Sequence, residues 1–332
     1  MKLGTVWCLV AIFFLAAAPH PAEAASRRPP VQRVSGPAYV RITDWARSRG
    51  LELRWLKKDE TLQLDSQSTR LRFNVDSTDA DINDVGVRLL FPVTIREGVP
   101  CLSQLDAQMT LDPILSPPKS RRGASITRIC LDPGHGGIDP GNRVGSFQEK
   151  TYTLLLAQEL AAQLTRVGYK VTLTRDTDKF IELSDRPAIA KRRSADLFIS
   201  LHFNSAPSSA NTVRGAEVYC MTPVGAASTN ARGEGGGAGW YPGNRSNDKN
   251  VYLAYQLQKS VTRNLATEDR GLHRARFAVL RDATMPAVLI EAGFMSNPSE
   301  GRKIFDAGYR KQIAKAIVDG ITAYRKGVEQ RG

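Results

Sequence analysis

From residue 126 onward the chain alternates short apolar runs with longer stretches of helical periodicity, and this alternation constrains the fold more than any other feature. Apolar strand-like runs occupy 126–131, 170–174, 197–201, 216–221 and 287–291. Between and after them, 149–166, 183–193, 251–265 and 299–326 read as helices; in the first, Leu154, Leu155, Leu160 and Leu164 take the apolar positions. The expected fold class is α/β: a layered domain over 126–327 whose largely parallel sheet is covered by helices, preceded by a small β-rich module.

The length of 332 residues suits about two domains. Residues 1–24 read as a signal peptide: Lys2 is a short basic start, 6–18 is apolar, and Ala22-Glu23-Ala24 offers a cleavage site. The run is shorter than the roughly 20 apolar residues of a membrane span, which makes an uncleaved anchor the lesser reading. No later span is evident. Residues 25–37 form a Pro-, Arg- and Ser-rich lead-in. The formal charge of +13 survives cleavage, because Lys2 and Glu23 leave together. A basic exported protein is drawn to anionic envelope polymers and head groups. Nucleic acid is not expected, since no nucleic-acid motif is present. Cys101, Cys130 and Cys220 remain, an odd number. Cys130 and Cys220 could pair if their strands are neighbours; otherwise they are buried small hydrophobes.

Residues 39–115 form the β-rich module. Ile42, Trp45 and Ala46 have helical spacing, and Leu62/Leu64 and Leu71/Phe73/Val75 alternate. Val87, Leu89 and Phe91 suggest another strand, and Leu105 and Met109 a closing helix. The module resembles the copper amine oxidase-like N-terminal domain found on envelope proteins, although no His between 21 and 134 supports copper. A wall-binding or docking role is expected of it. A linker at 116–125 carries Pro117-Pro118 and a Lys119/Arg121/Arg122 cluster, and should be extended and protease-sensitive.

Four residues carry the chemistry. His135 follows the first strand of the α/β region, Glu149 opens its first helix, and His202 and Glu291 end two further strands. In such sheets sites gather at the carboxyl ends of strands. Each residue has an ordinary alternative: a His at a strand end is often only a hydrogen-bonding group, and a Glu opening a helix often answers the dipole. A Glu ending an apolar strand is harder to dismiss, because burying its charge needs a partner. Hydrolytic zinc takes three N or O ligands and leaves a position for water, which two His and one Glu satisfy. A further carboxylate must accept the water's proton and pass it to the leaving amine, and Glu291 fits.

Four segments bring these residues together in order: Ile129-Cys130-Leu131-Asp132-Pro133-Gly134-His135-Gly136-Gly137, Gln148-Glu149-Lys150, Leu197-Phe198-Ile199-Ser200-Leu201-His202-Phe203-Asn204-Ser205, and Pro286-Ala287-Val288-Leu289-Ile290-Glu291-Ala292-Gly293-Phe294. Together they resemble the zinc-dependent N-acetylmuramoyl-L-alanine amidases of the AmiC-like type, over about 126–325. The resemblance implies zinc (Zn2+) on His135, Glu149 and His202, with Glu291 catalytic. It implies cleavage of the amide between N-acetylmuramic acid and L-alanine in peptidoglycan. The protein is expected to be a monomer, exported to the periplasm or cell wall or secreted, with a protein activator among its partners and no stable membrane span.

Two departures from the family pattern are visible: Lys191 where Asn is usual, and Cys130 where an aliphatic residue is common. His273 matches no metal position and reads as a groove or surface residue. Relatives used in cell division often carry an inhibitory helix in the interval 222–250; here that interval is rich in Gly, Ser, Asn and Pro and predicts a mobile loop instead. The rival functions are a catalytically silent wall-binding or activator protein on the same fold, and another zinc peptidase or deacetylase of the wall.

Overall fold

The fold is organised by an eleven-stranded mixed sheet, seen in a computed structural model that describes residues 37–229 and 239–329. The order across the sheet is Lys170–Leu173, Arg128–Pro133, Leu197–Asn204, Ala287–Phe294, Ala216–Met221, Asp269–Ala275, then Gly86–Arg88, Asp79–Ile82, Arg70–Asn74, Thr61–Asp65 and Glu52–Lys57. Within the first six strands every pairing is parallel except that of Ala216–Met221 with Ala287–Phe294. This is the expected α/β layer. The sequence reading missed the strand Asp269–Ala275, whose Gly, His and three charged residues hide its period. The signal-peptide assignment lies outside the described residues. Among those described, no helix is long and apolar enough to cross a membrane.

Side chains alternate between the two faces of the sheet, and the faces are covered unequally. Ile129, Leu131, Ile199, Leu201, Val218, Val288 and Ile290 join the larger core, which also holds residues of the long helices Glu149–Arg166, Asn247–Leu265 and Ala307–Val328. In the first of these helices Thr153, Leu156, Ala157, Leu160 and Leu164 are buried; Leu155, expected inside, is exposed. Cys130, Phe198, Tyr219 and Leu289 occupy the opposite face, in a smaller core with residues of the short helices Asp185–Arg192 and Ala278–Arg281. The single helix expected over 299–326 is two, Pro298–Phe305 and Ala307–Val328. Asp306 separates them and caps the second by accepting from Tyr309 N at 2.8 Å.

The N-terminal strands continue the same sheet. Val87 pairs with Leu272, and Gly86 N donates to Asp269 Oδ2 at 2.9 Å. A Cβ at Gly86 would lie 3.3 Å from Gly271 Cα, so the seam needs glycine's small size. Tyr255 donates from its hydroxyl to Ile82 O at 3.1 Å, and buried Arg274 donates to Met109 O and Met221 O. Tyr39–Arg41, Val99–Ser103 and Thr94–Arg96 form a separate three-stranded sheet. The segment 116–125 is tied to the last helix through Ser120 N to Val328 O at 2.8 Å and Lys119 Nζ to Gly327 O at 2.6 Å.

Cys130 and Cys220 lie on strands separated by two others, so they do not pair; with Cys101 they are free and buried. Burial pushes the Cys130 thiol up to about 12. These three thiols should react with a disulfide reagent only as the protein unfolds, which a labelling time course in rising urea would check. Because one sheet spans 52–294, calorimetry should show a single unfolding transition; two resolved transitions would show that the N-terminal strands melt on their own.

Candidate metal centre and active site

Parallel pairing brings the relevant strand ends side by side. Leu201 stands opposite Pro133 and His202 opposite Glu291, and Gly134 N extends the ladder to Leu201 O at 3.0 Å. The chain then turns sharply, with His135 in the left-handed region at φ 63°. A side chain on Gly134 would run into the ring of His202, its Cβ only 2.2 Å from Cε1.

Two buried arginines hold this turn. Arg186 donates to Asp132 Oδ1 at 2.9 Å, to Pro133 O at 3.0 Å and to His135 O at 2.9 Å. Arg175 donates to Pro133 O at 3.0 Å and to Gly134 O at 2.8 Å. Asp132 also accepts from Thr174 Oγ1 at 2.6 Å and Ser200 Oγ at 2.8 Å. The buried charge of Asp132 is therefore answered at both oxygens.

Glu149 is the first residue of its helix and is only 1% exposed. Its Oε2 accepts from Asn142 N at 2.9 Å and lies 3.1 Å from His135 Nε2. Its Oε1 accepts from Phe203 N at 3.1 Å and lies 2.9 Å from His202 Nδ1. His135 Nδ1 is held by Asp139 Oδ2 at 2.8 Å, which leaves Nε2 facing inward. One ligand atom from each of His135, Glu149 and His202 lies within 4.8 Å of the others. With metal–ligand bonds of about 2.0–2.2 Å, tetrahedral zinc sets its ligand atoms about 3.4 Å apart. The donor types and the separations fit such an ion, and the His–carboxylate hydrogen bonds stand where its bonds would be. Burial opposes protonation of His135, but Glu149 and Asp139 outweigh it and raise its pKa. Burial likewise opposes charge on Glu149, yet the two histidines hold it well below the usual carboxylate range.

Glu291 shares a cleft of about 380 Å³ with these three residues. Leu183, Phe277, Val279 and Leu289 supply apolar lining to the same cleft. The Glu291 Oε2 atom is shielded and has no hydrogen-bond partner among the described residues. Burial, then the charges of Glu149 and Glu217, hold its pKa well above the usual range. All four residues singled out in the sequence are thus together. His273 is not at the surface: it is buried and stacked on Tyr219 with ring centroids 5.2 Å apart. Lys191 is exposed on the helix Asp185–Arg192. In the interval 222–250 the described residues hold a 3-10 turn at Pro242–Ser246 and no α-helix before Asn247. Sequence reasoning missed Asp139, Asn142, Arg175, Arg186 and Glu217; Asp139 and Asn142, so close to His135, were the ones within its reach.

Fold and cluster together define a layered α/β domain with a group of two histidines and a glutamate at its strand ends that could hold a metal ion. The family model described as N-acetylmuramoyl-L-alanine amidase, Amidase_3, matches residues 129–323, and the chain belongs to that family. The match begins at residue 129 and lends no support to the copper amine oxidase-like resemblance of 39–115. AmiC of Neisseria meningitidis serogroup B is 35% identical over 231 residues, covering 62% of this chain and 55% of that protein. AmiA of Escherichia coli K12 is 34% identical over 235 residues, covering 63% and 80%. The chain thus spans little more than half of the first relative's length. The amidase of Clostridium difficile 630 has a TM-score of 0.51 at 32% identity, covering 60% of this chain and 97% of its own. The CwlD amidase of Clostridioides difficile, solved in complex with the GerS lipoprotein, has a TM-score of 0.50 at 28% identity, covering 60% and 98%.

Replacing Arg186 by Ala leaves Asp132 buried without its cation, and should destabilise the protein by about 3–5 kcal/mol in urea unfolding. A change within experimental error would show that the turn does not depend on the clamp.

Proposed function

We propose that this chain is a zinc-dependent N-acetylmuramoyl-L-alanine amidase that hydrolyses the amide between N-acetylmuramic acid and L-alanine in peptidoglycan. One observation carries the reading: two histidines and a buried carboxylate converge within 4.8 Å in a cleft that also holds the unpartnered oxygen of Glu291. Zinc on His135, Glu149 and His202 would supply a Lewis acid that polarises the scissile carbonyl and brings the pKa of water toward about 7. Asp139 orients His135, and the Asn142 and Phe203 amides orient Glu149. Glu291 accepts the proton of the attacking water and returns it to the alanine nitrogen as the amide breaks.

Residues 1–24 would direct export, which places the enzyme in the periplasm or at the wall. The complex of CwlD with the GerS lipoprotein supports a protein partner, and an activator is the role proposed for it. Residues 39–115 are proposed as a module that contributes to wall binding.

Purified protein incubated with peptidoglycan should release new L-alanine amino termini in the presence of zinc and none with a chelator. A different new end group would assign the chain to another zinc hydrolase of the wall. His135→Ala and His202→Ala should lose bound zinc by elemental analysis. Glu291→Gln should retain it while kcat falls about 10²–10⁴-fold.

A further inference from the structure

A second carboxylate stands beside Glu291 and takes no part in the chemistry described so far. Glu217 lies opposite Glu291 where Ala216–Met221 runs antiparallel to Ala287–Phe294. Residues directly opposite in a sheet share a face, so His202, Glu291 and Glu217 form one row across three adjacent strands. Glu217 is 4% exposed and fully engaged. Its Oε1 accepts from Asn204 Nδ2 at 2.7 Å and from the Tyr219 hydroxyl at 2.8 Å, and its Oε2 from Arg270 Nε at 3.1 Å. Glu291, by contrast, has a shielded oxygen with no donor.

Two like charges directly opposite each other are unfavourable in a sheet. Here one of them is compensated: Arg270 neutralises Glu217, and three donors from three strands prevent it from turning away. The other is left as the only carboxylate of the pair free to move. Glu217 is an acceptor whose donors are already supplied by Asn204, Tyr219 and Arg270, so it offers the Glu291 carboxylate no hydrogen bond on the side of Ala216–Met221 and does not hold it away from His202 and the cleft. Asn204 lies two residues beyond His202 on the same strand, so the hydrogen bond to Glu217 also ties that strand to the row.

We propose that Glu217, held by Asn204, Tyr219 and Arg270, is a positioning residue that keeps the Glu291 carboxylate directed at the reacting water and amide. The inference rests on the amidase reading above, in which Glu291 is the proton carrier. A purely structural ion pair joining Ala216–Met221 to Asp269–Ala275 would hold the strands together without acting through Glu291, and the two roles separate in a double-mutant cycle.

The experiment compares wild type, Glu217→Gln, Glu291→Gln and the double variant on soluble peptidoglycan fragments, with zinc content measured on each. Glu217→Gln should lower kcat about tenfold or more, leave KM within about twofold, and retain zinc. In the Glu291→Gln background it should lower the residual rate no further. A loss of the same factor in both backgrounds, or a loss confined to KM or to zinc content, overturns the proposal. If Glu217→Gln does not fold, Arg270→Gln replaces it with the same expectations. A wild type that binds zinc and releases no L-alanine amino termini defeats the amidase reading itself; an active wild type with additive variants defeats only the role of Glu217.

Discussion

The carboxylate of Glu149 is the point on which the site depends. It opens an 18-residue helix, accepts an amide from the loop at Asn142 and another from the strand at Phe203, and faces both His135 and His202. A buried charge is tolerated only where it is this well answered, so the helix start, the loop and two strand ends must all be in place together. Burying this charge therefore ties the fold to the His135–Glu149–His202 cluster.

The unequal cover of the sheet explains where the cleft lies. Three long helices share the larger core on one face. On the other face the short helices Asp185–Arg192 and Ala278–Arg281 join the smaller core, and the cleft opens beside them near the strand ends. His202, Glu291 and Glu217 point to this thinner side because their neighbours Leu201, Ile290 and Val218 are committed to the larger core. Strand alternation thus sorts the chemistry onto one face and the packing onto the other.

Much of the site was legible because its signals are local. A His after a strand and a Glu at a helix start each sit at a boundary that apolar periodicity marks, and the glycines around His135 announce a turn. The helix Glu149–Arg166 and the strand Ala216–Met221 coincide with the expected bounds. Leu155 was misplaced because two leucines in succession offer two faces, and only packing chooses between them. Asp306 was read through as helix because one capping residue interrupts a periodic segment without changing its composition. The strand holding Arg270 and His273 was overlooked because neighbouring strands supply the partners that make its charged residues tolerable.

The sequence by itself determined the α/β class, the elements that hold the site, and the four residues whose types suit a zinc hydrolase. Each follows from periodicity or from the chemistry of a side chain beside a strand or helix end. Only the tertiary structure decided that Arg186 and Arg175 clamp the turn before His135, that Glu217 stands against Glu291, and that residues 52–88 extend the same sheet. These depend on strand order and register, which pair residues tens to nearly two hundred positions apart. The physical reason is that hydrogen-bonded pairing between strands is specified by both partners at once, and a single segment read alone contains only half of that information.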